Sequence, residues 1–423
     1  MMNLLKEGIA SGRVEKTELM RKLTIGGRTK AYPVYRVPLD MLYYNNQNDR
    51  IATWIEEYRS EHEGQEIDRS DIGRYNEWIE RFIVSSNPEK IEQTKNNIAL
   101  VDQREAGITL SDGRIVDGNR RFTCLRQLHR ENANKFGAFE TVILEEEMQN
   151  NAKQIKMLEL MVQHGEEARV DYDPIDRLAG LYNDIRRNEL LTVKEYAQSV
   201  NRSEGEVKKD LAVAELMEEY LETLSMPYQF HVARKWKLDG PLREIYRVLA
   251  KETDEMRREE MKQAAFAHMA LLKSGDTSRQ MRKIMNIMRD KREGRSFIEK
   301  GIHLAEKLAD KIDDAVDAVE PADGQPANTP QIAAHVTRML EDIREDSEMV
   351  KEARNQADVA DNRIRATASR EQAASILEKA LDSIEAIDRR IFPKLTPAQR
   401  KTIREDAAAL IDLLEEIRRD ADV

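Results

Sequence analysis

Ile115-Val116-Asp117-Gly118-Asn119-Arg120-Arg121-Phe122-Thr123-Cys124-Leu125 is the stretch that decides how this 423-residue chain folds. An apolar pair closes a strand, a glycine permits a sharp turn, and a helix opens with two arginines in its first turn. The unpaired N–H groups and the positive dipole end of such a helix favour an anion. Arginine adds planar donors matched to pairs of phosphate oxygens. Glycine lets a ligand come close to the backbone. This is the chemistry of a phosphate site, for a nucleotide or for a nucleic-acid backbone. The same residues also fit a surface turn whose arginines pair with neighbouring carboxylates.

Just upstream, GITLSDGRIVDG sets two apolar runs around Ser111-Asp112-Gly113, a tight hairpin. Further back, LTIGGRTKAYPVYRVPL reads as strands about a Gly26-Gly27 turn. Three helical patterns fill residues 50–100, the last opening at Pro88, which suits a first helical turn. Downstream, FETVILEEE reads as a further strand. Strands mixed with helices make residues 1–150 an α+β domain. From 151 onward the patterns are helical, so mainly α-helical domains are expected, at 151–295 and 296–423. A Pro-rich segment, VEPADGQPANTPQ at 319–331, marks a linker or exposed loop.

The charge is unevenly spread. The formal net charge is −11, of which residues 296–423 hold −9, with 19 basic and 28 acidic groups. The first 295 residues are near neutral, so the acidity does not exclude a nucleic-acid partner for that part. Cys124 is the only cysteine, which excludes an internal disulfide or a cysteine zinc cluster. The seven histidines lack metal-ligand spacing, so no metal site is assigned. With no signal-peptide-like or membrane-length apolar run, a soluble cytoplasmic protein without membrane contact is expected.

Asp117-Gly118-Asn119-Arg120-Arg121, after a hairpin strand, resembles the Gly-x-Arg-Arg box of the ParB/sulfiredoxin-like superfamily. Val37-Pro38-Leu39-Asp40, followed by an Asn/Gln-rich turn, looks like the opening segment of that family. Thr141-Val142-Ile143-Leu144 fits the strand after the box. Asp171-Tyr172-Asp173-Pro174-Ile175-Asp176 looks like the stretch that opens the next helical domain. The resemblance covers about residues 32–217. The chain departs from it where Asn119 stands in place of the usual Glu, and no Glu-Asn pair precedes Asp171. Glu166 or Glu167 is the substitute candidate for a metal-facing carboxylate; the alternative is a solvated charged loop. Sulfiredoxins carry a catalytic cysteine near their arginine box, but Cys124, between Phe122 and Leu125, reads as a packing residue.

Residues 192–217, TVKEYAQSVNRSEGEVKKDLAVAELM, have helix-turn-helix spacing. Tyr196, Ala197 and Val200 form the inner face of a first helix. Ser203 caps the second, with Glu206 as its capping-box partner, and Val207, Leu211 and Ala214 face inward. Glu204, Glu206, Lys208, Lys209 and Asp210 are expected outside, a set that is not strongly basic. Phosphate neutralisation supplies most DNA affinity, and two basic stretches are on hand: 231–247, net +3, and 279–295, net +5. Each also fits a solvated helix face. Met281, Ile284, Met285, Ile287 and Met288 read as core.

Near the C-terminus, Leu377, Ala380, Ile384, Ile387 and Ile391 form one apolar seam, and Ile403, Ala407, Leu410, Leu414 and Ile417 another. Thr396-Pro397-Ala398-Gln399 stops one helix and caps the next. A helical hairpin is expected, with its seams covered by a second copy or by residues 332–365.

The resemblance implies a DNA-binding protein whose N-terminal domain takes a nucleoside triphosphate, CTP with Mg2+, at Gly118, Asn119, Arg120 and Arg121. It implies that nucleotide switches a homodimer between open and clamped states on double-stranded DNA. Arg202, Lys208 and Lys209 would touch the DNA, in plasmid or chromosome partition or in transcriptional regulation. The alternative is an ATP-using phosphoryl-transfer enzyme or a metal-dependent nuclease, for instance in phage defence, with Asp117 and Glu166 on the metal. A third is a helical scaffold with a degenerate nucleotide site.

Overall fold

The computed structural model describes residues 4–25, 28–46, 48–62, 64–144, 152–165, 173–273, 275–319 and 329–421. A short helix α1 (Leu4–Ala10) precedes the long antiparallel strands β1 (Glu15–Ile25) and β2 (Arg28–Pro38). Then come β3 (Tyr43–Tyr44) and three helices, α2 (Asp49–Glu61), α3 (Ile72–Ser86) and α4 (Pro88–Val101). The tight pair β4 (Gly107–Leu110) and β5 (Arg114–Asp117) leads into α5 (Asn119–Glu131) and β6 (Ala138–Leu144). The Gly26-Gly27 turn lies outside the described residues.

The six strands form one mixed sheet in the order β1-β2-β6-β4-β5-β3. β4 runs parallel to β6 and β3 parallel to β5, because a helix crosses over between each pair. All four residues of β4 are buried, as expected of a strand covered on both faces. On one face, Ile115, Phe122, Leu125, Leu128 and Phe139 pack with Tyr44 of β3 and with Ile51 and Ile79 of the helical insert. On the other, Ile108, Val116 and Val142 meet Ile155, Leu158 and Val162 of α6 (Ala152–Gly165). Successive residues of β5 thus serve opposite cores, as the two-residue period of a strand requires.

Beyond α6 the described residues are helical or turn. α7 (Pro174–Tyr182) starts with Asp173 as cap and Pro174 in the first turn. It runs into a π turn, Asn183–Arg187. α8 (Val193–Ser199) and α9 (Glu204–Thr223) follow, then α10 (Phe230–Lys235), α11 (Asp239–Leu249), α12 (Glu255–Ala270), α13 (Thr277–Arg289), α14 (Gly294–Asp317) and α15 (Thr329–Asp346). Met281, Ile284, Met285, Ile287 and Met288 are all buried, as their spacing predicts.

The sequence divides by pattern at 150 and 295, whereas the chain forms two compact units, Met1–Ala360 and Asp361–Val423. Leu304, Val350 and Ala353 share a core with Ala267 and Leu271 in the first unit. The second unit holds the end of α16 (Glu348–Glu385), a 3-10 turn (Arg389–Lys394) and α17 (Pro397–Ala421). Thr396 and Gln399 form the expected reciprocal cap. The apolar seams there are not buried: Leu377, Ile387, Ile391, Ile403, Leu414 and Ile417 are all exposed. Residues 332–360 instead bury Val336, Leu340 and Val350 within their own unit.

Candidate functional site

Asp117 ends β5 and Gly118 caps α5 in the left-handed region, with φ +97°. The cap residue is glycine and offers no side-chain acceptor to this helix start. Glycine is required at 118 for two reasons. A side chain strains at that φ, and a Cβ there would lie 2.8 Å from the Phe139 ring. Gly107 meets the same ring from β4, where a Cβ would lie 2.3 Å away. Phe139 is therefore wedged between two glycines, and the wedge sets the strand-to-helix corner.

The two arginines of the box have different surroundings. Arg121 donates to Asp117 at 3.0 Å and to Glu105 at 2.7 Å. Asp117 also accepts from Arg21 of β1 at 3.1 Å. Arg21 anchors itself further on the Ala106 carbonyl. For Arg121 the carboxylate-paired reading is the one realised, and Asp117 already faces two guanidinium groups. Arg120 is half-buried and lines a cleft of about 270 Å³ at the corner. Opposite stand Asn97, Gln103, Arg104 and Glu105, from the end of α4 and the loop after it. Asp102, at that helix end, holds the unusual φ of +59°. Gln103 braces the loop through the Glu140 backbone, accepting from its N–H at 2.9 Å and donating to its carbonyl at 2.7 Å.

Asn119 also lines the cleft and is 9% exposed. Its Oδ1 accepts no hydrogen bond among the described residues. A buried acceptor left empty is costly, so this atom suits an incoming donor. Cys124, five residues on, is fully buried, with Sγ 3.5 Å from the Ile91 carbonyl. Burial pushes its thiol up to about 12, which suits packing rather than nucleophilic chemistry.

The helix-turn-helix is built on its own core. Tyr196, Ala197, Val200, Val207 and Leu211 pack with Leu160, Leu181, Ile185 and Leu191. Both helices start with full capping boxes, Thr192 with Glu195 and Ser203 with Glu206. Asn201 takes φ +51° in the turn, where Asn is among the residues that tolerate it. Lys208 and Lys209 are exposed on α9. One expectation needs correcting. Asp210 is buried, 5% exposed, and it accepts from Arg202 at 2.7 Å and from Arg243 at 2.9 Å. Arg202 is consequently tied to α9 and does not project as a free cation. The basic stretches are similarly engaged: Lys235 with Glu341, Arg247 and Arg282 with Glu244, Lys283 with Asp358, and Arg295 with Glu299.

Glu166, Glu167, Asp171 and Tyr172 lie outside the described residues. Arg21, Asn97, Gln103 and Glu105 went unforeseen, because nothing in their local sequence spacing ties them to the box. Only the tertiary fold brings the Arg21 side chain of β1 and the loop before β4 to it. Among the described residues no helix is long and apolar enough to cross a membrane. No family model matches the chain, and no curated protein matches it either.

Proposed function

We propose that this chain is a ParB-like DNA-binding protein whose N-terminal domain takes a nucleoside triphosphate at Gly118–Arg121. The observation that carries this reading is the uncapped start of α5, opening on a cleft with Arg120 and the empty acceptor of Asn119. Phosphates would meet the α5 N–H groups and Arg120. The Asn119 Oδ1 would accept from an amino group, as cytosine and adenine offer and uracil does not. CTP with Mg2+ is the choice implied by the resemblance. The cleft carboxylates Asp102 and Glu105 are within the range of donors that Mg2+ shares with phosphates.

DNA contact falls to α9, through Lys208 and Lys209. The exposed seams of Asp361–Val423 are suited to a second copy of the chain, which gives a homodimer two recognition helices. Partition of DNA or regulation of transcription follows from such a protein.

The test is a titration of the chain with each of the four triphosphates, with Mg2+ and with or without duplex DNA. Binding of CTP stimulated by DNA and lost in Arg120→Ala supports the proposal. Replacing Lys208 and Lys209 by Ala is expected to reduce the salt slope of DNA binding by about 2. If no triphosphate binds above background, the proposal fails.

A further inference from the structure

Away from the arginine box, a cavity of about 450 Å³ lies where α2, α6 and the π turn meet. Single π turns joined to α-helices are rare and concentrate at functional sites. The wall carries Asp49, Glu56, Glu159 and Asp184, all buried. Lys156 lies among them, 2.5 Å from Asp49 and 3.4 Å from Asp184. Arg59 and Arg187 also reach the wall. Arg59, however, is held by Glu66 at 2.7 Å, and Arg187 lies over the Tyr228 ring at 4.3 Å.

Glu56 is 8% exposed, yet its Oε2 accepts no hydrogen bond among the described residues. The buried Oδ1 of Asn183, on the π turn, accepts none either. The wall therefore leaves these two buried acceptors empty, and one donor, the Arg59 Nε, is also without a partner among the described residues. A point cation does not fill that need, because no three Asp, Glu, His or Cys among the described residues are grouped to hold a metal ion. Several N–H donors on one flexible cationic molecule do.

We propose that this cavity binds an organic polyammonium ligand, whose amino groups donate to Glu56 Oε2 and Asn183 Oδ1. The site is separate from the nucleotide cleft and does not depend on it. Burial pushes the Glu56 carboxyl up to about 8, with Glu218 and Asp176 adding to the shift and Arg187 and Arg59 opposing it. Burial also raises Asp184, with Asp49 and Glu159 adding and Lys156 opposing. A cation binds the ionised forms, so binding releases protons and tightens as pH rises through that range.

The experiment is calorimetric titration of the full chain with spermidine, and separately with magnesium chloride, at pH 6.5 and pH 8.5 in two buffers of different ionisation enthalpy. Saturable spermidine binding is expected, about tenfold tighter at the higher pH, with proton release. Glu56→Gln is expected to weaken it about tenfold and flatten the pH dependence, with an unchanged circular-dichroism spectrum. Absence of saturable binding at millimolar spermidine and pH 8.5 overturns the proposal. So does equal binding of magnesium, or full affinity in Glu56→Gln. If that variant does not fold, proton release and pH dependence in the natural chain decide alone.

Discussion

Arg120 and Arg121 are adjacent, yet their side chains do different work. Arg121 bridges Asp117 and Glu105 and so ties the end of β5 to the loop before β4. Arg121→Ala leaves Asp117 with Arg21 alone and is expected to cost about 1.5–3 kcal/mol, the range for a hydrogen bond to a charged group. Urea denaturation measures it. Arg120→Ala, by contrast, should cost less than about 1 kcal/mol and show its effect in nucleotide titration. Gly118→Ala tests the corner itself. A side chain at φ +97° meeting the Phe139 ring is expected to cost about 2 kcal/mol. A melting temperature unchanged from the natural chain would mean that the corner relaxes freely.

At the scale of elements, the turn between α8 and α9 is held mostly by local bonds. The Ser203 hydroxyl accepts from the Glu206 N–H at 3.2 Å, and Glu206 accepts from the Ser203 N–H at 3.0 Å. Ser203→Ala should lower stability by about 1 kcal/mol, read from the denaturation midpoint. Lys208 and Lys209 lie on the outer face of α9, so the proposed DNA contact by folded protein should survive this change. What no local rule foresees is Asp210. Its carboxylate is buried because α11 brings Arg243 to it from 33 residues away. Burial alone would raise its pKa, but Arg202, Arg243 and Arg177 outweigh that and hold it low. An acidic residue on α9 is in this way neutralised within the fold.

At the scale of the whole molecule, buried carboxyls set the response to pH. Burial pushes Glu56 up to about 8 and Asp176 up to about 7. Their unfolded values lie near 4, so between about pH 4.5 and 8 the native state holds protons that the unfolded chain has released. Stability therefore falls as pH rises across that window, by up to about 1.4 kcal/mol per pH unit for each group. Burial lowers His231 and His268 to about 4, which works in the opposite direction, but only between about pH 4 and 6.5. The denaturation midpoint should be lower at pH 8 than at pH 6.5. A midpoint that rises over this interval would contradict native protonation of Glu56 and Asp176.

Elements and caps were legible because their causes are local. The β4–β5 hairpin, the Pro88 and Thr396 helix starts, the Ser203 box and the buried methionines of α13 each follow from residues a few positions apart. Gly118 as a special backbone position was legible for the same reason. By itself, then, the sequence determined an α+β start, a helical remainder and the helix pair at 192–217. Which charges are spent and which stay available was a tertiary decision. Arg121 is paired because the sheet places Glu105 beside it, and Arg202 because α9 folds back with Asp210. Leu377, Ile391, Ile403 and Ile417 are exposed, and residues 332–360 bury Val336, Leu340 and Val350 within their own unit. Charges and apolar faces are satisfied by whatever the fold brings within a few ångströms, and that proximity is set by chain crossings rather than by spacing along the chain.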